Sequence, residues 1–212
     1  MRRAARTATP QRRSRPRKIA PVAAAALLGG AAPVLVRMRR DLLTAGALAP
    51  VTTVAMYAVY ATHAAATGAA LSIDSGHLRL PRPLRWGGVG LAAGGVGLCV
   101  AGMGRFTGPG QVSGTDTGPI VTAGVYRLSR NPQYVGYTAA LAGLSAARRS
   151  PTALVLSGVV AAAYRWWVPV EEQHLDQVFG ADYRAYRSRT PRWLGVSRPS
   201  TKHAGNLPST GG

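Results

Sequence analysis

The chain has 212 residues, a single cysteine and a formal net charge of +19. One cysteine, Cys99 in an apolar run, excludes an intrachain disulfide and a cysteine-cluster metal site. The basic excess does not indicate nucleic acid, because the arginines flank long uncharged runs, as in a chain anchored at an anionic membrane.

Residues 1–18 hold seven arginines and Lys18 with no acid and no aromatic, so they read as a disordered basic tail. A targeting peptide or a misplaced upstream start would look the same. Ile19–Val36 is uncharged and long enough to span, but rich in Ala, Gly and Pro. Basic residues flank both of its ends, so it crosses against the positive-inside rule or lies in the interface; the expectation is a poor span. Leu42–Leu71 holds the clearest span, about twenty residues within this window, with Tyr57, Tyr60 and His63 read as an aromatic belt and its polar neighbour. Asp74–Arg85 is a polar connection carrying Pro81 and Pro83. Trp86–Met103 is a third, glycine-rich span. Its glycines are no dinucleotide loop, since neither a strand nor a following acid frames them. Small residues spaced by four, such as Gly90 and Gly94, instead predict a close helix contact.

Arg105–Arg130 is a long Gly/Thr/Pro/Ser loop in which residues 120–126 would form one wall of a pocket. Asn131-Pro132 reads as an N-cap and first helical residue. Two apolar helices, Pro132–Ala147 and Pro151–Val170, then form a hairpin about Arg148-Arg149-Ser150. At about 1.5 Å per residue their lengths are similar. Glu171 and Glu172 should therefore return to the level of Arg130 and Asn131. Pro169 is expected to end or kink the last span, with the glutamates opening a new helix. Ala181–Arg189 reads as a surface helix with Tyr183 and Tyr186 on one side and Arg184 and Arg187 on another. Residues 195–212 are polar and read as a disordered tail.

The run Gly124-Val-Tyr-Arg-Leu-Ser-Arg-Asn-Pro-Gln-Tyr-Val-Gly136 precedes the hairpin and Glu171-Glu172. Phe179-Gly-Ala-Asp-Tyr-Arg-Ala-Tyr186 and Pro191-Arg-Trp193 follow. This order of motifs resembles the isoprenylcysteine carboxyl methyltransferase and phospholipid methyltransferase superfamily, over about residues 85–194. The resemblance implies an all-α, multi-pass transmembrane bundle of four to five spans with an amphipathic surface helix. It divides the chain into N-terminal transmembrane helices (19–104) and a cofactor-binding catalytic half (105–194). It implies S-adenosyl-L-methionine as cofactor and a lipidic or hydrophobic acceptor, at a cell-membrane site facing the cytoplasm. The residues it implies for the cofactor are Val121, Thr122, Tyr126, Arg130, Asn131, Pro132, Tyr134, Gly136, Glu171 and Glu172. Of these, Arg130, Glu171 and Glu172 are the catalytic candidates; no metal is implied. Asn131 stands where eukaryotic carboxyl methyltransferases have His. Their Arg before the glutamate pair is replaced by Trp166 and Trp167, with Arg165 the nearest cation.

Methyl transfer from a sulfonium asks a protein mainly to align two molecules and exclude water. An amine acceptor also needs a base, for which Glu171 or Glu172 is available. A carboxylate acceptor needs none. Two other readings compete: an NADPH-dependent sterol-type reductase of related architecture, and a non-catalytic membrane protein whose motifs serve packing.

Overall fold

The computed structural model describes residues 19–196. The basic tail (1–18) and most of the polar C-terminal tail lie outside them. Among the described residues the fold is all helical. Its elements are α1 (Ile19–Ala45), α2 (Pro50–Ile73), α3 (Arg82–Met103), α4 (Pro109–Ser113), a 3-10 turn (Gly124–Arg127), α5 (Pro132–Arg148) and α6 (Pro151–Arg189). Helix α6 is the axis. It packs against α1, α2 and α5, and α3 lies on the far side of α5. Helices α1, α3 and α6 are long and apolar enough to cross a membrane. Helix α2 is long enough, but its threonines and His63 dilute its apolarity, while α5 has only 17 residues.

The first turn of the bundle lies later than the sequence predicts. Helix α1 runs past Val36 and carries Arg37, Arg39 and Arg40 as exposed residues before it stops at Ala45. Arginine is a good helix former and breaks nothing. The break comes at Gly46 (φ 75°), and Pro50 opens α2. Asp41 holds this corner by accepting from the Ala49 amide (3.1 Å) and from the Thr52 hydroxyl. The second helix therefore starts at Pro50, inside the Leu42–Leu71 window.

The α3–α5 contact is built on glycine, though not on the pair expected. Gly90 and Gly94 face open space. Gly88, Gly95 and Gly102, one every seven residues, are buried against α5. A Cβ on Gly95 would stand 2.4 Å from the Ala140 amide nitrogen, and one on Gly143 would stand 2.4 Å from that of Ala92. The two helices run antiparallel with their backbones touching. This is the close approach that small residues permit when no hydrophobic effect drives helices together.

The hairpin tip is anchored to the end of α2. Gly76 and Leu78 amides donate to the carbonyls of Arg148 (3.0 Å) and Arg149 (2.9 Å). Buried Asp74 accepts from the Thr152 amide (2.8 Å) at the start of α6. Arg148 donates to the Leu71 carbonyl at 3.3 Å, so the tip's charge is paired with backbone.

Pro169 neither ends nor breaks α6, and Glu171 and Glu172 lie mid-helix rather than in a new first turn. Valine and glutamate run on through this turn with tertiary packing on both sides. The kink falls eleven residues later, at Gly180 (φ 51°, ψ −118°), a conformation that needs glycine. Beyond it Tyr183 and Tyr186 are buried and Arg184 and Arg187 exposed, as the sequence pattern predicts.

Gly95→Ala should destabilise the bundle by about 1–3 kcal/mol through overpacking. Gly90→Ala should leave it unchanged or more stable. SDS-titrated unfolding in mixed micelles separates the two.

Candidate functional site

The hairpin brings the two distant motifs into contact. Arg130, just ahead of α5, and Glu172, on α6, form an ion pair at 2.7 Å with both side chains nearly buried. Arg130 donates to Glu172 Oε1 through Nε (3.0 Å) and Nη2 (2.7 Å). Its Nη1 donates to the carbonyls of Arg187 and Thr190, each at 2.9 Å. Arg192 approaches the same carboxylate from the other side. Its Nε lies 3.1 Å from both oxygens and its Nη2 2.7 Å from Oε2. This bonding holds the Arg192 guanidinium above its ordinary pKa. Glu172 is thus saturated by two cations, and Arg130 is saturated by Glu172 and two carbonyls.

The segment after α6 is stitched beneath the entry to α5. The Arg130 amide donates to the Pro191 carbonyl (2.9 Å), and the Gly195 amide to that of Leu128 (3.2 Å). Asn131 Nδ2 donates to the Arg192 carbonyl (3.0 Å). Asn131 therefore precedes α5 without capping it through its side chain. The Asn131 side-chain amide donates to this carbonyl of the segment after α6 instead of its oxygen capping α5, and so is satisfied by a partner remote in sequence.

Glu171 has a different setting. It accepts from the Tyr134 hydroxyl at 2.7 Å. Among the described residues it makes no ion pair. Tyr134 stacks on Tyr164, ring centroids 4.3 Å apart. Both glutamates line a cavity of about 760 Å³ that is otherwise mostly apolar and aromatic.

Of the residues expected at the site, Val121, Tyr126, Arg130, Asn131, Tyr134, Glu171 and Glu172 line this cavity. Thr122, Pro132 and Gly136 do not. Thr122 is turned off the wall that its neighbour Val121 forms. Pro132 is fully buried at the foot of α5 beside Gly102. Gly136 faces α3, where a Cβ would stand 2.5 Å from the Cys99 amide nitrogen. Its small size serves helix packing. Tyr126 is fixed by accepting, through its carbonyl, the Tyr186 hydroxyl (2.7 Å), and by donating to Gln133 (3.2 Å). Burial pushes its phenol well above the ordinary value.

Sequence reasoning gives no role to Arg192, Tyr164 or His174. Arg192 stood in the Pro-Arg-Trp run, which carried the signal. Tyr60 was read as an interface aromatic, yet it lines the cavity. The loop over the cavity is organised by Gln111, whose amide donates to the carbonyls of Thr117 (3.1 Å) and Pro119 (2.9 Å). Thr117 in turn reaches His174 at 3.4 Å. Arg165 is exposed and away from the cavity.

Residues 84–182 match the family model described as phospholipid methyltransferase. Among curated proteins, Protein-S-isoprenylcysteine O-methyltransferase B of Arabidopsis thaliana is 34% identical over 75 residues, 34% of this chain and 37% of that protein. The match thus spans well under half of the relative's length. No solved structure matches. The resemblance read from the ordered motifs is borne out over residues 84–182, the segment that is similar to both.

Arg130→Ala should cost about 3–5 kcal/mol, the range for breaking a buried pair. Arg192→Ala, from a half-exposed partner, should cost about 1 kcal/mol or less. The double variant Arg130→Ala/Glu172→Gln should cost less than the sum of its singles, because Glu172→Gln removes the stranded charge. A double-mutant cycle from SDS-titrated unfolding reads all three.

Proposed function

We propose that this chain, with its membrane methyltransferase segment at residues 84–182, transfers a methyl group from S-adenosyl-L-methionine to a lipidic or hydrophobic acceptor. The observation that carries the reading is Glu171: a carboxylate without a cation partner, on the wall of an aromatic cavity, next to a glutamate that two arginines have neutralised. A cationic cofactor fits such a wall. Its charge would be met by Glu171 and by the faces of Tyr60, Tyr134, Tyr164 and Trp167. The cavity, at about 760 Å³, is within the range of small-molecule sites. Residues 105–194 make the catalytic half, facing the cytoplasm of the cell membrane.

When bound, the cofactor supplies a methyl group already activated on sulfur. The chain's own residues do the rest. Arg130 and Arg192 fix Glu172, and this fixes the turn of α6 that presents Glu171. Tyr134 orients the Glu171 carboxylate. The loop around Gln111 and the 120–126 wall exclude water. Glu171 is also placed to take the proton released by an amine acceptor. A carboxylate acceptor releases none and would use Glu171 only for its charge.

Isothermal titration of the protein in nanodiscs with S-adenosylhomocysteine tests the reading, with NADPH as the control ligand. Binding of the first and not the second is expected; the reverse, or binding of neither, overturns it. Glu171→Gln should lower transfer to an amine acceptor about 10²–10⁴-fold, the usual contribution of a general base. The stability of this variant should stay near that of the parent. Incubating membranes with labelled cofactor identifies the acceptor.

A further inference from the structure

The charges on the wall of the large cavity do not cancel. Among the described residues its only Lys or Arg is Arg130, and that guanidinium is bound by Glu172 and by the carbonyls of Arg187 and Thr190. Arg192, which gives Glu172 a second cation, is not on the wall. Two further carboxylates are, Glu171 and Asp116, and neither makes an ion pair among the described residues. Asp116 lies outside the ordered motifs, on the loop that covers the cavity. Its Oδ1 accepts from the Gly118 amide at 3.2 Å. Thr117, next in sequence, reaches His174 at 3.4 Å, and the Leu48 amide donates to the Gly114 carbonyl at 2.9 Å. His174 stands one helical turn beyond Glu171 on α6. The loop is thus held against the part of α6 that carries Glu171, and both unpaired carboxylates belong to one end of the cavity.

We propose that the methyl-accepting atom is a basic nitrogen, and that Asp116 is the residue that selects it. The inference rests on the methyltransferase reading above. The cofactor, with its sulfonium, ammonium and carboxylate, brings a single net positive charge. An amine entering in its protonated form brings another. Glu171 and Asp116 offset the two. An acceptor carboxylate would be a third unpaired anion in the same space, with no unpaired guanidinium to orient it, and like charges brought together are costly. The faces of Tyr60, Tyr134, Tyr164 and Trp167 attract an ammonium and not an anion. Asp116 holds the entering ammonium while Glu171 takes its proton. The freed nitrogen pair forms the N–C bond to the methyl group as the C–S bond breaks, and the electrons of that bond stay on sulfur as a neutral thioether. The product leaves as a methylammonium, and Glu171 returns its proton to water. This chemistry sets the chain apart from the O-methyltransferase of Arabidopsis thaliana that it resembles.

Two measurements test the proposal. In the first, membranes holding the full chain are incubated with methyl-labelled S-adenosyl-L-methionine, and the labelled material is treated with mild alkali. An N-methyl group survives, whereas a methyl ester is released as methanol. Most of the label that the chain adds over membranes lacking it should survive; release of half or more overturns the proposal. The second measurement needs no turnover. The chain in phosphatidylcholine nanodiscs is photolabelled with 2-(hexadecyloxy)ethylamine or (hexadecyloxy)acetic acid, each carrying a diazirine beside the head group, at equal mole fraction. The amine should label residues 111–121 and 164–175 about tenfold or more over the acid. Asp116→Asn should cut the amine labelling roughly fivefold, the upper range for an exposed charge pair. The Asn oxygen can still accept from the Gly118 amide, so this loss reports charge and not loop shape. Asp116→Lys should bring the acid to the level of the amine. Equal labelling of the parent by the two probes overturns the proposal, as does amine labelling that both variants leave intact. Failure of the parent to bind S-adenosylhomocysteine strikes the cofactor reading alone, since the photolabelling is read without it.

Discussion

One carboxylate, that of Glu172, holds the candidate site in shape. It is buried mid-helix in α6, where an unpaired charge would be expensive. Arg130 reaches it from the entry to α5 and Arg192 from the strand beyond α6. Three segments that are remote in sequence are thereby tied to one point. The remaining N–H group of Arg130 binds the carbonyls at the end of α6, so the same cation also closes the helix terminus. Charge pairing at this point fixes where Glu171 and Tyr134 face.

The pairing divides the labour of two adjacent glutamates. Glu172 has both oxygens consumed by guanidinium groups and is a positioning group. Glu171, its neighbour, is turned by about 100° of helix and, among the described residues, meets the Tyr134 phenol and no cation. Neighbours in sequence thus have opposite chemical prospects. Helix geometry alone is responsible, for a one-residue step changes the face presented to the bundle.

Much of this was legible in the sequence because it followed from length and charge. Two apolar runs of similar span, bounded by Arg130 and by Glu171-Glu172, predicted that those groups meet, and they do. Tyr183 and Tyr186 declared their buried side by spacing. What was not legible depended on partners. Gly136 looks like part of a ligand motif, but its surroundings are the backbone of α3, which no local pattern reveals. Gly90 and Gly94 match a known packing motif, whereas a seven-residue set does the packing. Pro169 signals a break, yet tertiary contacts keep α6 continuous and Gly180 supplies the bend. Asn131 has the makings of a cap, but its amide is drawn to a carbonyl 61 positions away.

Arg192 lies twenty positions beyond Glu172 and after every membrane-crossing helix. In chain order, then, Glu172 precedes its second counter-charge. Without the segment after α6 docked under α5, Glu172 has a single guanidinium, and Asn131 and the Arg130 amide lack their carbonyl partners. The setting of Glu172 is therefore complete only once a segment outside the membrane-crossing helices has docked.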